Sequence, residues 1–304
     1  MVNGSYPKIT IVATCHNREK YIADTIESVL SQGYPNLEFI VIDDNSSDRS
    51  WDIIQTYNDR LTYIEQLPGK RSSPITAINY ALARSTGELM TTLNDKNLLL
   101  PKSLFSMAET FAAFPDVEWV TGIGTLVNSD GIITSVMPIR KDFYDHLKHV
   151  PWNIQHESTF WRRSLWERTG SKFDEEYPWA FDAGLWCKFF AHAHLYHLNT
   201  IVGSYRKIPA SHSIQNMDEY RMYARKAREL LRSRVPLSRL IYAEIYHGLR
   251  LFKPLLRNIP DSIFARIPLL REFSNRSIRF SETGGADPKP VLYMRNPFRT
   301  IYPW

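Results

Sequence analysis

Cysteine is scarce in this chain, which has only Cys15 and Cys187 among its 304 residues. Two cysteines cannot build the disulfide framework of a small secreted domain, and their neighbours show no metal-ligand spacing. Apolar residues make up 43% of the chain and charged residues 23%, which excludes wholesale disorder and collagen-like repeats. We therefore expect a reduced, folded, cytoplasmic protein.

Long hydrophobic runs are absent as well. No apolar stretch approaches the roughly 18 residues that a membrane-spanning helix needs. Residues 1–7 are polar and lack the charged start and the apolar centre of a signal peptide. The sequence predicts neither a membrane span nor a secretion signal, in agreement with a cytoplasmic location.

Acidic residues are few in the last third of the chain. After residue 219 there are 17 of the 37 lysines and arginines, but only 6 of the 32 aspartates and glutamates. This change predicts a boundary between a first region, 1–219, and a basic, mainly helical extension, 220–304. A basic extension suits nucleic acid, an anionic membrane surface, or a solubilised helical appendage.

Basic and apolar residues alternate within the extension, between residues 250 and 271. This pattern suits helices that lie in the interface of an anionic membrane, which would place the protein at the membrane periphery. An equal alternative is a helical cover packed on the first region or on a partner subunit. Nucleic acid is not expected as a partner, because no nucleic-acid-binding motif accompanies the charge.

Strand-like and helix-like patterns alternate along the first hundred residues. Short apolar runs predict strands at 8–14, 37–42, 61–64 and 89–93, with helices between them. This alternation is typical of an α/β fold with a mainly parallel sheet and helices on both faces. Two further strands, at 117–127 and 132–136, flank an Asp-Gly turn and predict a hairpin.

Glycine-rich phosphate loops are missing. Neither GxGxxG after the first strand nor GxxxxGK[ST] occurs, which argues against a dinucleotide-dependent dehydrogenase and a P-loop NTPase. Polar clusters instead follow the predicted strands, at 14–18, 43–47, 70–73 and 94–97. Because ligands bind outside the carboxyl ends of strands in an open parallel sheet, we expect these clusters to line one cleft.

Five blocks of sequence, between residues 7 and 213, resemble family 2 glycosyltransferases with a GT-A fold. The blocks are Ile9–Arg18 with SVLSQGYPNLEFIVIDDNSSD after it, Asn79–Leu93, Asn94–Pro101, Gln155–Gly170, and Phe173–Asp174 with Phe181–Trp186. The resemblance implies an inverting transfer of a sugar from a nucleoside-diphosphate donor, in first place a UDP-sugar. The acceptor would be a hydroxyl group of a glycan or another molecule.

The same resemblance implies where the nucleotide lies. Asp44 would accept the imide N–H of uracil, while Thr14 and His16 would line the base and the ribose. Arg71 is a separate candidate for contact with the diphosphate, and the alternative for it is a solvent-exposed loop arginine. The alternative for the Asp43-Asp44 pair is a structural one, since aspartate also caps loops and helices.

Asp182 is the catalytic residue that the resemblance implies. It would take the proton from the acceptor hydroxyl during attack on the anomeric carbon. At the start of a helix, backbone dipoles would favour its anionic form, although an aspartate there can also be no more than a helix cap. Glu157 is a second carboxylate in the acceptor-side block and the reserve candidate.

The metal motif departs from that of the family. Relatives usually carry Asp-x-Asp or Asp-Asp, which hold Mn²⁺ or Mg²⁺, whereas this chain has Asn94-Asp95-Lys96-Asn97. Lys96 falls where the main ligand is expected, and an ammonium cannot ligate a cation. Either Asp95 and Asn97 bind metal from shifted positions, or Lys96 replaces the metal, or the site is dead. His212 lies where some GT-A enzymes place a late ligand for the metal or the diphosphate, and it is a further candidate ligand.

Two other functions compete with sugar transfer. A dead site would make the chain an inactive relative that binds a nucleotide or a glycan. A sugar nucleotidyltransferase shares the α/β plan but needs a glycine-rich, basic loop after the first strand, which residues 14–18 do not provide.

Overall fold

The computed structural model describes residues 6–69, 74–137, 143–148, 154–208, 216–281 and 288–299. The strands are β1 (Ile9–Cys15), β2 (Leu37–Asp43), β3 (Tyr63–Gln66), β4 (Leu89–Asn94), β5 (Leu98–Leu99), β6 (Trp119–Val127), β7 (Ile133–Met137), β8 (Thr159–Arg162), β9 (Leu195–Arg206), β10 (Asn275–Phe280) and β11 (Pro290–Arg295). The helices are α1 (Ile22–Leu30), α2 (Ser50–Gln55), α3 (Pro74–Leu82), α4 (Ser103–Ala113), α5 (Phe143–Lys148), α6 (Arg163–Arg168), α7 (Phe181–His192), α8 (Met217–Arg234), α9 (Leu237–Leu249), α10 (Lys253–Leu256), α11 (Asp261–Phe264) and α12 (Pro268–Glu272).

One sheet runs through the whole described chain, in the order β11-β10-β9-β6-β8-β4-β1-β2-β3. The strands β4, β1, β2 and β3 are parallel to one another, and so are β6, β9 and β10. Strand β8 separates these two groups and is antiparallel to both of its neighbours. The predicted mainly parallel α/β sheet is confirmed, and β6 and β7 form the predicted hairpin.

Helices cover both faces of the sheet because the central strands are apolar on both sides. All seven residues of β1 are buried. Alternate residues of β1 and β2 enter two separate apolar cores, with Val12 and Ile40 in one and Ile11 and Val41 in the other. Helices α3 and α7 contribute to the first core, and α1 and α4 to the second.

Tryptophans anchor α7 in the first core. Trp186 of α7 stacks on Trp119 of β6 with 5.5 Å between ring centroids, and both rings are buried. Trp161 of β8 meets Trp186 edge-on. Burial of large aromatic rings dominates core energetics, so this cluster fixes the position of the residues that precede it on α7.

The C-terminal extension contains the predicted helices, α8–α12, and also two strands. It is helical only as far as Glu272, since β10 and β11 are strands that extend the central sheet. The predicted boundary at residue 219 also falls inside α8, and Leu231, Tyr246 and Phe273 belong to the same apolar core as Trp119. The extension therefore packs on the first region through a shared apolar core. Among the described residues, no helix is both long and apolar enough to cross a bilayer.

Candidate active site

The ends of β1, β2 and β4 meet at one cleft, as the polar clusters predict. Seven polar residues from these strand ends line a cavity of about 150 Å³: Thr14, His16, Arg18, Asp44, Asn94, Asp95 and Lys96. Trp179 and Tyr220 close the cavity from the other side. The structure thus brings together five of the predicted donor and metal residues, and it adds Arg18. Arg71 and His212 lie outside the described residues.

The two aspartates that follow β2 have different surroundings. Asp43 is fully buried, and its carboxylate accepts hydrogen bonds from the Ser46 backbone N–H at 2.8 Å and the Gln66 amide at 2.9 Å. Asp43 therefore closes its own turn, which is the structural role foreseen for one of the pair. Asp44 lines the cleft, and its carbonyl oxygen lies 2.7 Å from Nδ1 of His16. This contact joins the ends of β1 and β2.

Asp95 connects the loop after β4 to the loop after β1. Its Oδ2 accepts the backbone N–H of His16 at 3.1 Å, and its Oδ1 lies 3.6 Å from Nε of Arg18. Arg18 had no predicted role, because a single arginine after a strand carries no pattern. The described residues contain no cluster of three histidine, cysteine, aspartate or glutamate side chains that could hold a metal ion.

Lys96 is a buried lysine, with 6% of its surface exposed. Its Nζ lies 3.3 Å from the hydroxyl of Tyr205 and 4.6 Å from the centre of that ring. The carbonyl oxygen of Lys96 accepts a hydrogen bond from Nε of Arg206 at 2.9 Å, and Oδ1 of Asn97 accepts the Arg206 backbone N–H at 3.1 Å. The end of β9 therefore fixes the loop that carries Lys96.

A second cavity, of about 440 Å³, adjoins the first. The two share Asn94, Trp179, Phe181, Tyr205 and Tyr220 as lining residues, and the second adds Glu157 and Asp182. Glu157 lies on the 3₁₀ turn His156–Ser158 against β9. Gly203 makes this approach possible, since a Cβ there would lie 2.4 Å from the Glu157 carbonyl oxygen. The predicted base and its reserve thus face one space beside the donor cleft.

Both carboxylates have raised pKa values. Burial raises the pKa of Glu157 to about 7; the negative charge of Asp182 adds to this effect and the positive charge of Lys96 opposes it. Burial raises the pKa of Asp182 to about 6, against hydrogen bonds from the backbone N–H of Ala183 and from Tyr220. Two coupled carboxylates that titrate near neutral pH are typical of acid–base sites.

Tyr220 is a site residue that the sequence did not indicate. It is the fourth residue of α8, lies just beyond the predicted boundary, and donates a hydrogen bond to Asp182. Asn216 and Met217 line the cavities from the same segment. No motif marks these residues, because the packing of α8 on α7 alone places them there.

Comparison with known proteins agrees with this architecture. The sequence model described as Glycosyl transferase family 2 matches residues 10–169. The chain belongs to glycosyl transferase family 2. Among curated relatives, the putative glycosyltransferase EpsE of Bacillus subtilis is 32% identical over 105 residues, which are 33% of this chain and 37% of that protein. The poly-beta-1,6-N-acetyl-D-glucosamine synthase of Staphylococcus epidermidis is 28% identical over 135 residues, or 43% of this chain and 32% of that protein. The family 2 chain thus spans less than two thirds of the length of these relatives.

Solved structures share the fold at low sequence identity. TarS of S. aureus, in complex with UDP-GlcNAc, has a TM-score of 0.56 at 17% identity, covering 88% of this chain and 71% of that one. The mannosyltransferase PcManGT of Pyrobaculum calidifontis, in complex with GDP-Man and Mn²⁺, has a TM-score of 0.52 at 16% identity, covering 82% of each chain. The expected GT-A-like fold is confirmed.

Proposed function

We propose that this family 2 chain transfers a sugar from a nucleoside diphosphate, in first place UDP, to an acceptor hydroxyl with inversion at the anomeric carbon. The observation that carries the proposal is a pair of adjoining cavities. Polar residues at the ends of strands line the first, and the carboxylates of Glu157 and Asp182 line the second. A donor in the first would present its sugar to an acceptor in the second. TarS, which shares the fold, binds UDP-GlcNAc and UDP.

The donor cleft suits a pyrimidine nucleotide. Asp44 is the carboxylate at the end of β2 that lines the cleft, and Thr14 and His16 flank it from β1. A carboxylate that accepts the imide N–H of uracil forms a charge-assisted hydrogen bond, which is stronger than a neutral one. Asp44 would therefore select uracil, while Thr14 and His16 would line the base and the ribose.

Asp182 is the base in this proposal. The acceptor oxygen attacks the anomeric carbon, the bond from that carbon to the diphosphate oxygen breaks, and Asp182 takes the acceptor proton. The pKa of Asp182, at about 6, lies below that of Glu157, at about 7, so Asp182 loses its proton more readily. Glu157 is also almost fully buried, with 1% exposure, whereas Asp182 is partly exposed in its cavity. Both differences favour Asp182 over Glu157.

An inactive binding protein is the second candidate. It would use the same donor cleft, and Lys96 in the metal motif is the feature that suggests it. However, two neighbouring carboxylates whose pKa values are raised toward neutrality are typical of proton transfer and bring no advantage to binding alone. Slow hydrolysis of a UDP-sugar by the purified chain would identify an enzyme.

The variant Asp182→Asn tests the base. We expect sugar transfer to fall by about 10²–10⁴, the usual effect of losing a general base, with UDP affinity and melting temperature nearly unchanged. Asparagine keeps an oxygen for the Ala183 N–H, which donates to Asp182 at 2.8 Å. Transfer at the normal rate in this variant, and its loss in Glu157→Gln, would assign the base to Glu157 instead.

The variant Tyr220→Phe tests the hydrogen bond to that base. The Tyr220 hydroxyl stabilises the Asp182 anion and so lowers its pKa; without it the pKa rises. In kcat/KM against pH, the acidic limb should lie near pH 6 in the natural chain and move to higher pH in Tyr220→Phe. A drop in rate at every pH with no shift of the limb would contradict this role.

The variant Asp44→Ala tests the donor cleft. Losing a charge-assisted hydrogen bond should weaken UDP binding by about 1.5–3 kcal/mol, measured by calorimetry. CDP serves as a control, because cytosine has no imide N–H to donate and should lose less affinity. Equal UDP affinity in the variant and the natural chain would remove Asp44 from the donor site.

We further infer that the extension lies on an anionic membrane. Ten large apolar side chains of α9–α12 and their connections are exposed: Leu237, Ile241, Tyr242, Ile245, Leu251, Phe252, Leu255, Ile263, Ile267 and Leu269. Lys253, Arg257, Arg266 and Arg271 lie among them and have no ion pair within the described part of the chain. The acidic residues of this stretch are each paired with a basic residue: Glu244 with Lys148, Asp261 with Arg299, and Glu272 with Arg239. Exposed apolar surface with excess positive charge fits anionic lipid.

Sedimentation with vesicles tests the membrane contact. At low salt the chain should bind phosphatidylglycerol-containing vesicles and not pure phosphatidylcholine, because its unpaired cations need an anionic surface. The double variant Leu251→Ser/Leu255→Ser should bind less; both side chains are over 70% exposed, so folding should survive. Ile132→Ser, at an exposed site on the β6–β7 hairpin, is the matched control. Equal binding to both lipids, or a dimer that the double variant dissociates, would overturn the proposal.

A further inference from the structure

The leaving diphosphate requires positive charge, and its source in this chain is not a metal motif. As the bond to the sugar breaks, the electron pair moves to the diphosphate oxygen, where a cation stabilises it. Among the residues that the structure describes, the donor set at this place does not fit a divalent ion. Asp95 already accepts the His16 N–H and lies beside Arg18, and the next residue is a lysine. Within the described ranges, Asp95 is not part of any group of three histidine, cysteine, aspartate or glutamate side chains that could hold a metal ion.

Lys96 is already in place to supply this charge. Its side chain is buried at the cleft, and Tyr205, which contacts its ammonium, lines both cavities. The positive charge of Lys96 also acts on the second cavity, because it lowers the pKa values of His156 and Glu157, which line that cavity. The ammonium is therefore close to the boundary between the two cavities, where the bond to the sugar would break.

Arg206 holds the backbone of Lys96 in a fixed position. Its guanidinium is 1% exposed and donates to the carbonyl oxygens of Lys96 and Ser129 and to the carboxylate of Asp24. A cation fixed in advance stabilises developing charge without the reorganisation that a flexible surface lysine would need.

A second cation lies in the same cleft. The Arg18 guanidinium lines the cavity beside Asp95, and an arginine can present two parallel N–H groups to a phosphate. Together, Lys96 and Arg18 carry two positive charges at the end of the cleft where the loops after β1 and β4 meet. The carboxylate of Asp95, 3.6 Å from Nε of Arg18, offsets part of this charge, so Lys96 is the main cation of the pair.

We propose that Lys96, assisted by Arg18, takes the place of the divalent ion, so that donor binding and transfer do not depend on metal. The proposal rests on the proposed function, because it assigns the diphosphate to the same cleft. The ammonium of Lys96 donates a hydrogen bond to the leaving diphosphate oxygen as the bond from that oxygen to the anomeric carbon breaks. The electron pair of that bond stays on the oxygen, and the proton from the acceptor goes to the base.

Calorimetry of UDP binding to the full chain tests this, with EDTA or with excess Mn²⁺. We expect the natural chain to bind UDP equally in both conditions. Lys96→Met should lose about tenfold or more in affinity, and Mn²⁺ should not restore it. Lys96→Arg should retain part of the affinity, because it keeps a cation in place. Lys102→Met, at an exposed lysine beyond β5, is the matched control and should bind UDP normally.

Thermal unfolding separates this role from a structural one. Methionine fills the space of a buried lysine without its desolvation cost, so Lys96→Met should melt at the same temperature or higher while it loses UDP affinity. A lower melting temperature with unchanged UDP affinity would make Lys96 structural and overturn the proposal. UDP binding by the natural chain that requires Mn²⁺ would also overturn it, although the proposed function would stand. Failure to bind UDP in both conditions would overturn both.

Discussion

The position of the loop that carries Lys96 depends on the hydrogen bonds of one buried side chain, the guanidinium of Arg206. From the last residue of β9 it bonds to the loop after β4, to the turn of the β6–β7 hairpin at Ser129, and to Asp24 of α1. These segments are far apart in sequence, and strand pairing does not join α1 to either loop. A buried arginine must have all its donors occupied, because an unpaired buried charge is strongly destabilising. Each partner is therefore held in one position, and Lys96 with them.

The site is shared by the first region and the extension. Asp182 begins α7 in the first region, while Tyr220, which bonds to it, belongs to α8, and the two helices pack on each other. The extension also completes the apolar core through Tyr246 and Phe273 and adds two strands to the sheet. A cut at residue 219 would consequently remove a contact of the base as well as a surface.

The sequence predicted the parts of the fold that depend on local patterns. Both faces of strands β1, β2 and β4 are covered, so their sequences are mainly apolar. Such runs can be recognised as strands from the sequence alone. Strand β9 and strand β10 carry serines, arginines and histidines among their apolar residues, and their pairing joins residues some eighty positions apart. The five blocks that resemble the family predicted Asp44, Lys96, Glu157 and Asp182 as site residues. They could not locate Tyr220 or Arg206, since only helix packing and a buried charge network bring these residues to the site.

Electrostatic coupling links the two cavities. Lys96 lowers the pKa of Glu157, whereas Asp182 raises it, so the acceptor side responds to charge on the donor side. A diphosphate next to Lys96 would neutralise part of the ammonium charge and remove part of that lowering effect. Glu157 would then hold its proton more tightly, so the acceptor side would change its charge state when the donor binds. A fixed lysine produces this coupling without an ion that has to bind first, which is a physical reason for a buried cation at the place where the family resemblance predicts a metal ligand.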